Sequence, residues 1–239
     1  MIFAHRGGSS LAPENTLAAF KQAVQIGCDG IELDVRLCAS GDVVVCHDRT
    51  VDRTTNGHGK VARMTLSQLK TLDAGSWFNP KYPGERIPTL IESLAIIGDQ
   101  AVINIELKPT AATIKTFVDT VSDIIEQFHL TDTILFSSFS AQALSMLNIR
   151  LPLYAKALLS YPGMTGIWAR VFSYYKSAYQ ALHCYYKDIS LKMISKYPRI
   201  HAYTVNHPSD MKRLFTWGIS GIITDEPIKA MQIRAEVTS

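Results

Sequence analysis

The chain has 239 residues, of which 47% are hydrophobic and 19% are charged, which is enough to build the core of a large globular domain. Its net charge is only +3, so it lacks the strongly basic character of a general nucleic-acid-binding protein, and we expect no nucleic-acid partner. It has neither an apolar run long enough to cross a membrane nor a basic and apolar start, so we expect no transmembrane helix and no secretory signal.

Short β-rich runs alternate with helical patterns, as in proteins built from parallel βαβ units. After the first run, Pro13-Glu14-Asn15 is a helix start signal, and apolar residues at helical spacing predict a helix over Thr16–Ile26. The same spacing predicts a helix over Thr113–Phe128. Eight runs are predicted to be parallel strands: Ile2–His5, Gly30–Val35, Ala101–Leu107, Thr133–Ser137, Leu153–Ala157, His183–Tyr186, Ile200–Thr204 and Gly221–Thr224.

A ninth β-rich run interrupts this alternation. Val43–Cys46 follows Ser40-Gly41-Asp42, a turn too short for a parallel crossover, so we expect a hairpin that folds back onto the second strand. The next segment, about residues 48–88, is rich in Gly, Thr, Asn and Pro and is predicted to be a small insertion. We otherwise expect a single domain over residues 1–239.

Eight such strands permit either a closed barrel or an open doubly wound sheet. Charged and imidazole side chains repeatedly occupy the predicted strand ends, which is where a barrel places its active site. An open nucleotide-binding sheet would need a GxGxxG pattern after its first strand, and Gly7-Gly8 does not supply it. The predicted fold class is therefore an α/β TIM barrel, (β/α)8. The strand-end residues are His5, Arg6, Glu32, Asp34, His47, Glu106, Lys108 and Asp225.

Three acidic residues on two predicted strands form a candidate metal site. Glu32 and Asp34 are two residues apart, so strand alternation points both side chains to one face. By itself this pair more often marks a solvent-facing strand, but inside a barrel the carboxylates would need a cation between them. Glu106 repeats the pattern on the next barrel strand and favours a site for one divalent cation, Mg²⁺ or Ca²⁺ or else Mn²⁺.

Two histidines and two cations accompany the carboxylates. His5-Arg6 ends the first strand, His47 ends the hairpin strand, and Lys108 lies on the same face as the third carboxylate. Singly, each has an ordinary interpretation as a hydrogen-bonding histidine, a surface arginine or an ion-paired lysine. Together they form the set that metal-assisted cleavage of a phosphodiester needs, with His5 and His47 transferring protons. Arg6 and Lys108 would bind the phosphate.

The chain also resembles the glycerophosphodiester phosphodiesterase family, and in particular its bacterial cytoplasmic members. The resemblance rests on short motifs whose order and spacing extend from residue 4 to residue 225. They are Ala4-His5-Arg6-Gly7-Gly8, Ala12-Pro13-Glu14-Asn15-Thr16, Ile31-Glu32-Leu33-Asp34-Val35, His47-Asp48, Asp73-Ala74-Gly75-Ser76-Trp77-Phe78, Asn104-Ile105-Glu106-Leu107-Lys108-Pro109, Ser137-Ser138-Phe139, Tyr203-Thr204-Val205-Asn206, and Trp217-Gly218 leading to Ile223-Thr224-Asp225.

This resemblance implies a TIM barrel with the family's insertion at about residues 48–88. It implies a divalent metal held by Glu32, Asp34 and Glu106, with His5 and His47 as the acid/base pair. The implied reaction is hydrolysis of a small glycerophosphodiester to glycerol 3-phosphate and an alcohol such as choline, ethanolamine or glycerol. By analogy with barrels that cleave phosphoinositides, the glycerol 2-hydroxyl could attack phosphorus first; direct attack by water fits the same residues.

Two other functions fit parts of the sequence. A lysophospholipase D-like enzyme could use the same metal site on membrane lysophospholipids. An inactive barrel could bind lipids, although the presence of every metal carboxylate and both histidines argues against it. Residues 158–187 are basic and aromatic, which permits peripheral membrane docking, but packing of an outer barrel helix is the favoured interpretation.

The four cysteines, Cys28, Cys38, Cys46 and Cys184, have no metal-site spacing. We expect them to be buried free thiols in a reducing compartment, with the cytoplasm as the predicted location.

Overall fold

The computed structural model describes residues 1–164, 179–197 and 199–238. Its centre is a barrel of eight parallel strands, closed because the first strand pairs with both the second and the last. The TIM barrel predicted from the sequence is therefore confirmed. The barrel strands are Ile2–Ala4 (β1), Gly30–Leu37 (β2), Val102–Leu107 (β4), Ile134–Ser138 (β5), Ala155–Leu159 (β6), Ala181–Tyr185 (β7), Ile200–Tyr203 (β8) and Gly221–Thr224 (β9).

The predicted hairpin is present, and the segment after it packs separately. Strand β3, Val43–Val45, runs antiparallel to β2 after a turn in which Gly41 has φ +89°, a conformation that favours glycine. The insertion that follows contains a short 3₁₀ helix, Val61–Arg63, and α2, Leu66–Thr71. The insertion and one face of the hairpin bury a shared apolar cluster, which consists of Cys38, Val44, Cys46, Val51, Val61, Leu69, Ala74 and Ile87.

Helices surround the barrel and carry the apolar faces that the sequence predicted. Helix α1, Leu17–Gln25, begins after Thr16, whose Oγ1 accepts a hydrogen bond from the Ala19 N–H at 3.3 Å. Helix α4, Ile114–Ile125, buries Phe117, Val118 and Val121, and burial of each such side chain contributes roughly 1.5–3 kcal/mol to stability. The other helices among the described residues are α3, Leu90–Ile97; α5, Ala141–Arg150; α6, Leu191–Lys196; α7, Pro208–Thr216; and α8, Pro227–Thr238, with 3₁₀ turns at His5–Gly7 and Tyr186–Asp188.

Two predicted strand starts are wrong by two residues. Strand β6 begins at Ala155 rather than Leu153, which is 84% exposed. The cause is Lys156, whose buried Nζ donates to the carbonyls of Leu151 and Tyr154, at 2.7 Å each, and closes the turn before the strand. Strand β7 begins at Ala181, because this residue pairs with β6.

Part of the barrel interior is filled by an apolar cluster. Phe3, Leu135, Ala157, Ala181 and Ile223 form this separate buried cluster. Gly30 accommodates this packing, because a Cβ atom there would lie 2.5 Å from the Phe3 ring. Polar side chains on the same strands therefore lie towards their carboxyl ends.

Three other predictions concern the whole chain. All four cysteines are buried and free, as expected. Among the described residues, no helix is long and apolar enough to cross a membrane. Residues 165–178, which include much of the basic and aromatic segment, lie outside the described residues, so both interpretations of that segment remain predictions, as does the single domain.

Candidate active site

Two carboxylates of β2 point into the barrel, as strand alternation predicts. Glu32 and Asp34 are 2% and 1% exposed, and their apolar neighbours Ile31, Leu33 and Val35 are buried on the other face of the strand. On β4, Glu106 pairs in register with Asp34. One oxygen from each of the three carboxylates can be chosen so that all lie within 4.8 Å of one another. The sequence prediction of a three-carboxylate cluster is thus borne out in its geometry.

The cluster concentrates negative charge in a buried place. Burial, together with the charges of Asp34 and Glu106, raises the pKa of Glu32 well above its ordinary value. Burial also raises the pKa of Glu106, against the influence of Lys108. Burial acts on Asp34 in the same direction, but the charges of Lys108 and Arg6 outweigh it and lower the pKa. Asp34 is therefore the most readily ionised of the three, and a bound cation would favour ionisation of Glu32 and Glu106.

The two predicted phosphate-binding cations lie against these carboxylates. Lys108 Nζ is 2.5 Å from Glu106 Oε1 and 3.0 Å from Asp34 Oδ1. Arg6 Nε is 3.4 Å from Asp34 Oδ2, and its Nη1 donates to Glu14 Oε1 at 2.8 Å. Arg6 has φ +53°, and in this left-handed conformation its backbone N–H donates to Glu32 Oε2 at 2.9 Å. Backbone and side chain of Arg6 thus contact three carboxylates, two of which belong to the cluster.

The turn before α1 supports the same cluster. Asn15, at φ +57°, donates from Nδ2 to Asp34 Oδ2 at 2.9 Å. Its own Oδ1 accepts from the Asp34 N–H at 3.3 Å, so one amide fixes both ends of this aspartate. Gly7, at φ +86°, allows the turn to pack on α1, since a Cβ there would lie 2.7 Å from the Ala19 Cβ.

His5 lies at the end of β1 and is held by a carboxylate from the opposite end of the chain. His5 Nδ1 is 2.6 Å from Asp225 Oδ1, and His5 Nε2 is 4.0 Å from Glu32 Oε2. Burial would raise the pKa of Asp225, but its hydrogen bonds, first that with His5, outweigh it and hold the pKa well below the ordinary value. An ionised Asp225 therefore fixes the His5 ring so that Nε2 faces the carboxylate cluster.

His47 has a carboxylate of its own. Its Nδ1 is 2.7 Å from Asp48 Oδ1, and Arg53 Nε donates to Asp48 Oδ2 at 2.7 Å. Burial would raise the pKa of Asp48, but the hydrogen bonds from Arg53 and His47 lower it to about 2. Burial lowers the pKa of His47 itself, while the Asp34 charge acts in the opposite direction. Arg36 also donates to the His47 carbonyl, from Nε at 3.0 Å.

A cavity of about 180 Å³ joins these groups at the carboxyl ends of the strands. Six of the seven predicted site residues line it, while Asp34 lies behind them in contact with Lys108. A larger groove of about 480 Å³ lies beside the cavity, but it reaches none of the three carboxylates. The six lining residues are His5, Arg6, Glu32, His47, Glu106 and Lys108.

Comparison with known proteins identifies the family. Residues 5–229 match the glycerophosphoryl diester phosphodiesterase family. The chain belongs to this family. A glycerophosphodiester phosphodiesterase from Caldanaerobacter subterraneus subsp. tengcongensis is 39% identical over 95% of this chain and 94% of that protein. A glycerophosphodiester phosphodiesterase from Bacillus altitudinis is 34% identical over 99% of this chain and 98% of that protein. The chain is thus an enzyme of this class, a phosphoric diester hydrolase.

A solved structure extends the likeness to the whole barrel. A phosphodiesterase from Oleispira antarctica, in complex with the product sn-glycerol-3-phosphate, matches with a TM-score of 0.91 at 31% identity. The match covers 98% of this chain and 96% of that chain.

The residues present fit a divalent cation. Three carboxylates supply the oxygen ligands that hard dications bind. Glu32 Oε1 is buried and accepts no hydrogen bond from any residue that the structure describes. A buried carboxylate oxygen of this kind is a suitable metal ligand, because its desolvation is otherwise uncompensated.

Sequence reasoning missed the groups that hold the predicted site residues. From the sequence, Asp225 is a strand-end residue without an assigned role, and Asp48 is only the neighbour of His47. Asn15 is part of the predicted helix start signal, and in the structure it also holds Asp34. The contact between His5 and Asp225 could have been predicted from the barrel. Its first and last strands, β1 and β9, are neighbours, so the polar residues that follow them lie close together.

Proposed function

We propose that this enzyme uses a divalent cation to hydrolyse glycerophosphodiesters to glycerol 3-phosphate and an alcohol such as choline, ethanolamine or glycerol. One observation carries the proposal: three carboxylates, two carboxylate-held histidines and two cations converge at one mouth of the barrel. The relative from Oleispira antarctica, in complex with the product sn-glycerol-3-phosphate, supports the choice of product.

Glu32, Asp34 and Glu106 would hold the cation. When bound, such a cation neutralises charge on phosphoryl oxygens and lowers the pKa of a bound hydroxyl or water. It would also offset the negative charge of the three buried carboxylates, which Arg6 and Lys108 balance only in part. Arg6 and Lys108 are already fixed by ion pairs at the edge of the cluster, so they can stabilise the charge that develops on phosphate without reorganising.

His5 and His47 are the proposed proton-transfer pair. One imidazole removes the proton from the attacking oxygen, and the other protonates the leaving alkoxide. Each ring is bonded through Nδ1 to an aspartate, which leaves Nε2 for the transfer. Asp225 and Asp48 are therefore positioning residues.

The test is a substrate panel assayed with and without a chelator. Glycerophosphocholine, glycerophosphoethanolamine and lysophosphatidylcholine are compared, and the phosphorylated product is identified. We expect glycerol 3-phosphate from the first two substrates, loss of activity with chelator, and recovery with Mg²⁺, Ca²⁺ or Mn²⁺. Release of phosphocholine, or activity on lysophosphatidylcholine alone, would overturn the proposal.

A further inference from the structure

Three neutral polar side chains inside the cavity are not used by the mechanism above. Asn104, Ser137 and His183 are 1%, 0% and 0% exposed, and all three line the cavity that contains the carboxylate cluster. Among the described residues, nothing forms a hydrogen bond with either amide atom of Asn104, with Ser137 Oγ or with His183 Nδ1. Buried polar groups in proteins are almost always paired, so a cluster of unpaired ones indicates a ligand site.

His183 is fixed in its place by a second histidine. Its Nε2 lies 3.0 Å from His201 Nδ1, and burial lowers the pKa of both rings. In such a neutral pair one ring donates to the other, so His183 Nδ1 is either a donor or an acceptor, according to the tautomer. In both cases it presents an uncharged polar atom to the cavity.

The chemistry of these groups specifies the ligand. Asn104 offers both a donor and an acceptor, and so does Ser137. A hydroxyl group, which donates and accepts, can satisfy all three side chains. A phosphate can only accept, and the cations that suit it, Arg6 and Lys108, lie beside the carboxylates instead. An acyl chain would leave every one of these buried groups unpaired, at a large cost in affinity.

We propose that Asn104, Ser137 and His183 bind the free hydroxyl groups of the glycerol moiety and so select unacylated glycerol over acylated glycerol. This inference rests on the proposed function and deepens it. It divides the cavity into a charged part for phosphate and cation and a neutral part for glycerol. It also gives a physical reason why lysophospholipids would be poor substrates.

The test compares two phosphates that differ only in hydroxyl groups. Binding of sn-glycerol 3-phosphate and of propyl phosphate is measured by calorimetry in the presence of Mg²⁺. We expect the wild-type enzyme to bind sn-glycerol 3-phosphate at least ~10-fold more tightly, since a hydroxyl pairs with groups that propyl phosphate leaves unsatisfied. Ser137→Ala and Asn104→Ala should each weaken the binding of sn-glycerol 3-phosphate by about tenfold. The affinity for propyl phosphate should stay within about twofold of the wild-type value.

Ser138→Ala is the matched control. Ser138 is also buried, but its Oγ donates to the Leu107 carbonyl at 2.8 Å and accepts from the Ser140 N–H at 3.0 Å. Its loss should lower the melting temperature and leave the preference for sn-glycerol 3-phosphate intact. Ser137→Ala should leave the melting temperature unchanged and reduce the preference for sn-glycerol 3-phosphate, because it removes a buried hydroxyl without a protein partner. This contrast separates ligand binding from a structural role.

Two results distinguish failure of this inference from failure of the proposed function. Hydrolysis of glycerophosphocholine together with equal affinity for the two phosphates would overturn this inference alone. So would an equal loss of affinity for both phosphates in Ser137→Ala and Asn104→Ala. Absence of hydrolysis with any divalent cation would overturn the proposed function, and this inference with it.

Discussion

His5 and Asp225 are joined by a 2.6 Å contact between His5 Nδ1 and Asp225 Oδ1, although 220 residues separate them in the chain. The same carboxylate accepts hydrogen bonds from Ser9 Oγ and Asn206 Nδ2, at 2.5 Å each. These contacts tie the turn after β1 to the turns after β8 and β9. The orientation of His5 therefore depends on closure of the barrel, because β1 and β9 are neighbours only in the closed sheet.

Asp225→Asn should lower kcat by about 10- to 100-fold, because His5 loses the carboxylate that fixes its ring. The metal affinity should be unchanged, since Asp225 lies outside the carboxylate cluster. The measurement is steady-state kinetics with glycerophosphocholine, together with metal titration. Asp210→Asn, which removes a carboxylate paired with Arg213 on α7, is the control and should stay within about twofold. A wild-type kcat in Asp225→Asn would contradict this account.

His5→Ala and His47→Ala should each lower turnover by at least ~100-fold while the fold stays intact, as removal of general acid/base catalysis does. Turnover and circular dichroism are measured for both variants and for His58→Ala. His58 is exposed in the insertion, so its loss should have no effect. If His47→Ala kept near-normal turnover, the assignment of the proton-transfer pair would be wrong.

The barrel and the inward-facing charges follow from the sequence because both depend on short-range patterns. Alternation along β2 is enough to place Glu32 and Asp34 on one face, and the same rule places Glu106 and Lys108 on β4. Parallel strands then bring their carboxyl ends together without further information. This is why most of the charged cluster could be predicted.

The contacts that hold the cluster could not be predicted, because they depend on loop conformation. The positive φ angles of Arg6 and Asn15 aim a backbone N–H and a side-chain amide at the carboxylates, and neither residue type requires that conformation. The unpaired state of Ser137 Oγ and His183 Nδ1 could not be predicted either. It arises because no neighbouring strand places a hydrogen-bond partner near these atoms, and the sequence does not show this.

Glu32→Gln should stabilise the metal-free protein and remove its response to metal. The raised pKa of Glu32 means that the folded state disfavours the ionised form, so at neutral pH this carboxylate destabilises the metal-free fold. In the wild type, a divalent cation at 100 times its Kd should add about 2.7 kcal/mol to the free energy of unfolding.

Thermal melts with EDTA and with Mg²⁺, Ca²⁺ or Mn²⁺ measure both effects. Glu126→Gln, which changes an exposed glutamate at the end of α4, should respond to metal as the wild type does. If Glu32→Gln were stabilised by metal as strongly as the wild type, the carboxylate cluster would not be the cation site.

The pair of buried histidines predicts how stability depends on pH. His201 is 5% exposed, and burial, with smaller contributions from the N-terminus and Arg199, lowers its pKa to about 3. In the unfolded chain the ring protonates near its ordinary value of 6.5. Between these values the unfolded state binds a proton that the folded state does not, so stability falls as pH decreases below 6.5. The loss from this one group should reach about 2 kcal/mol at pH 5.

Comparison with His201→Gln isolates this contribution, because glutamine can still pair with His183 but does not titrate. Glu32 and Glu106 act in the opposite direction, since their raised pKa values favour the folded state as pH falls. Their effect is common to both proteins and cancels in the difference. Urea unfolding is measured at pH 7, 6 and 5. Across this range the free energy of unfolding of the variant should rise by about 2 kcal/mol relative to that of the wild type. If the stability difference between variant and wild type did not change with pH, His201 would protonate in the folded barrel as readily as in the unfolded chain. The ring pair would then not hold His183 neutral at the proposed glycerol site.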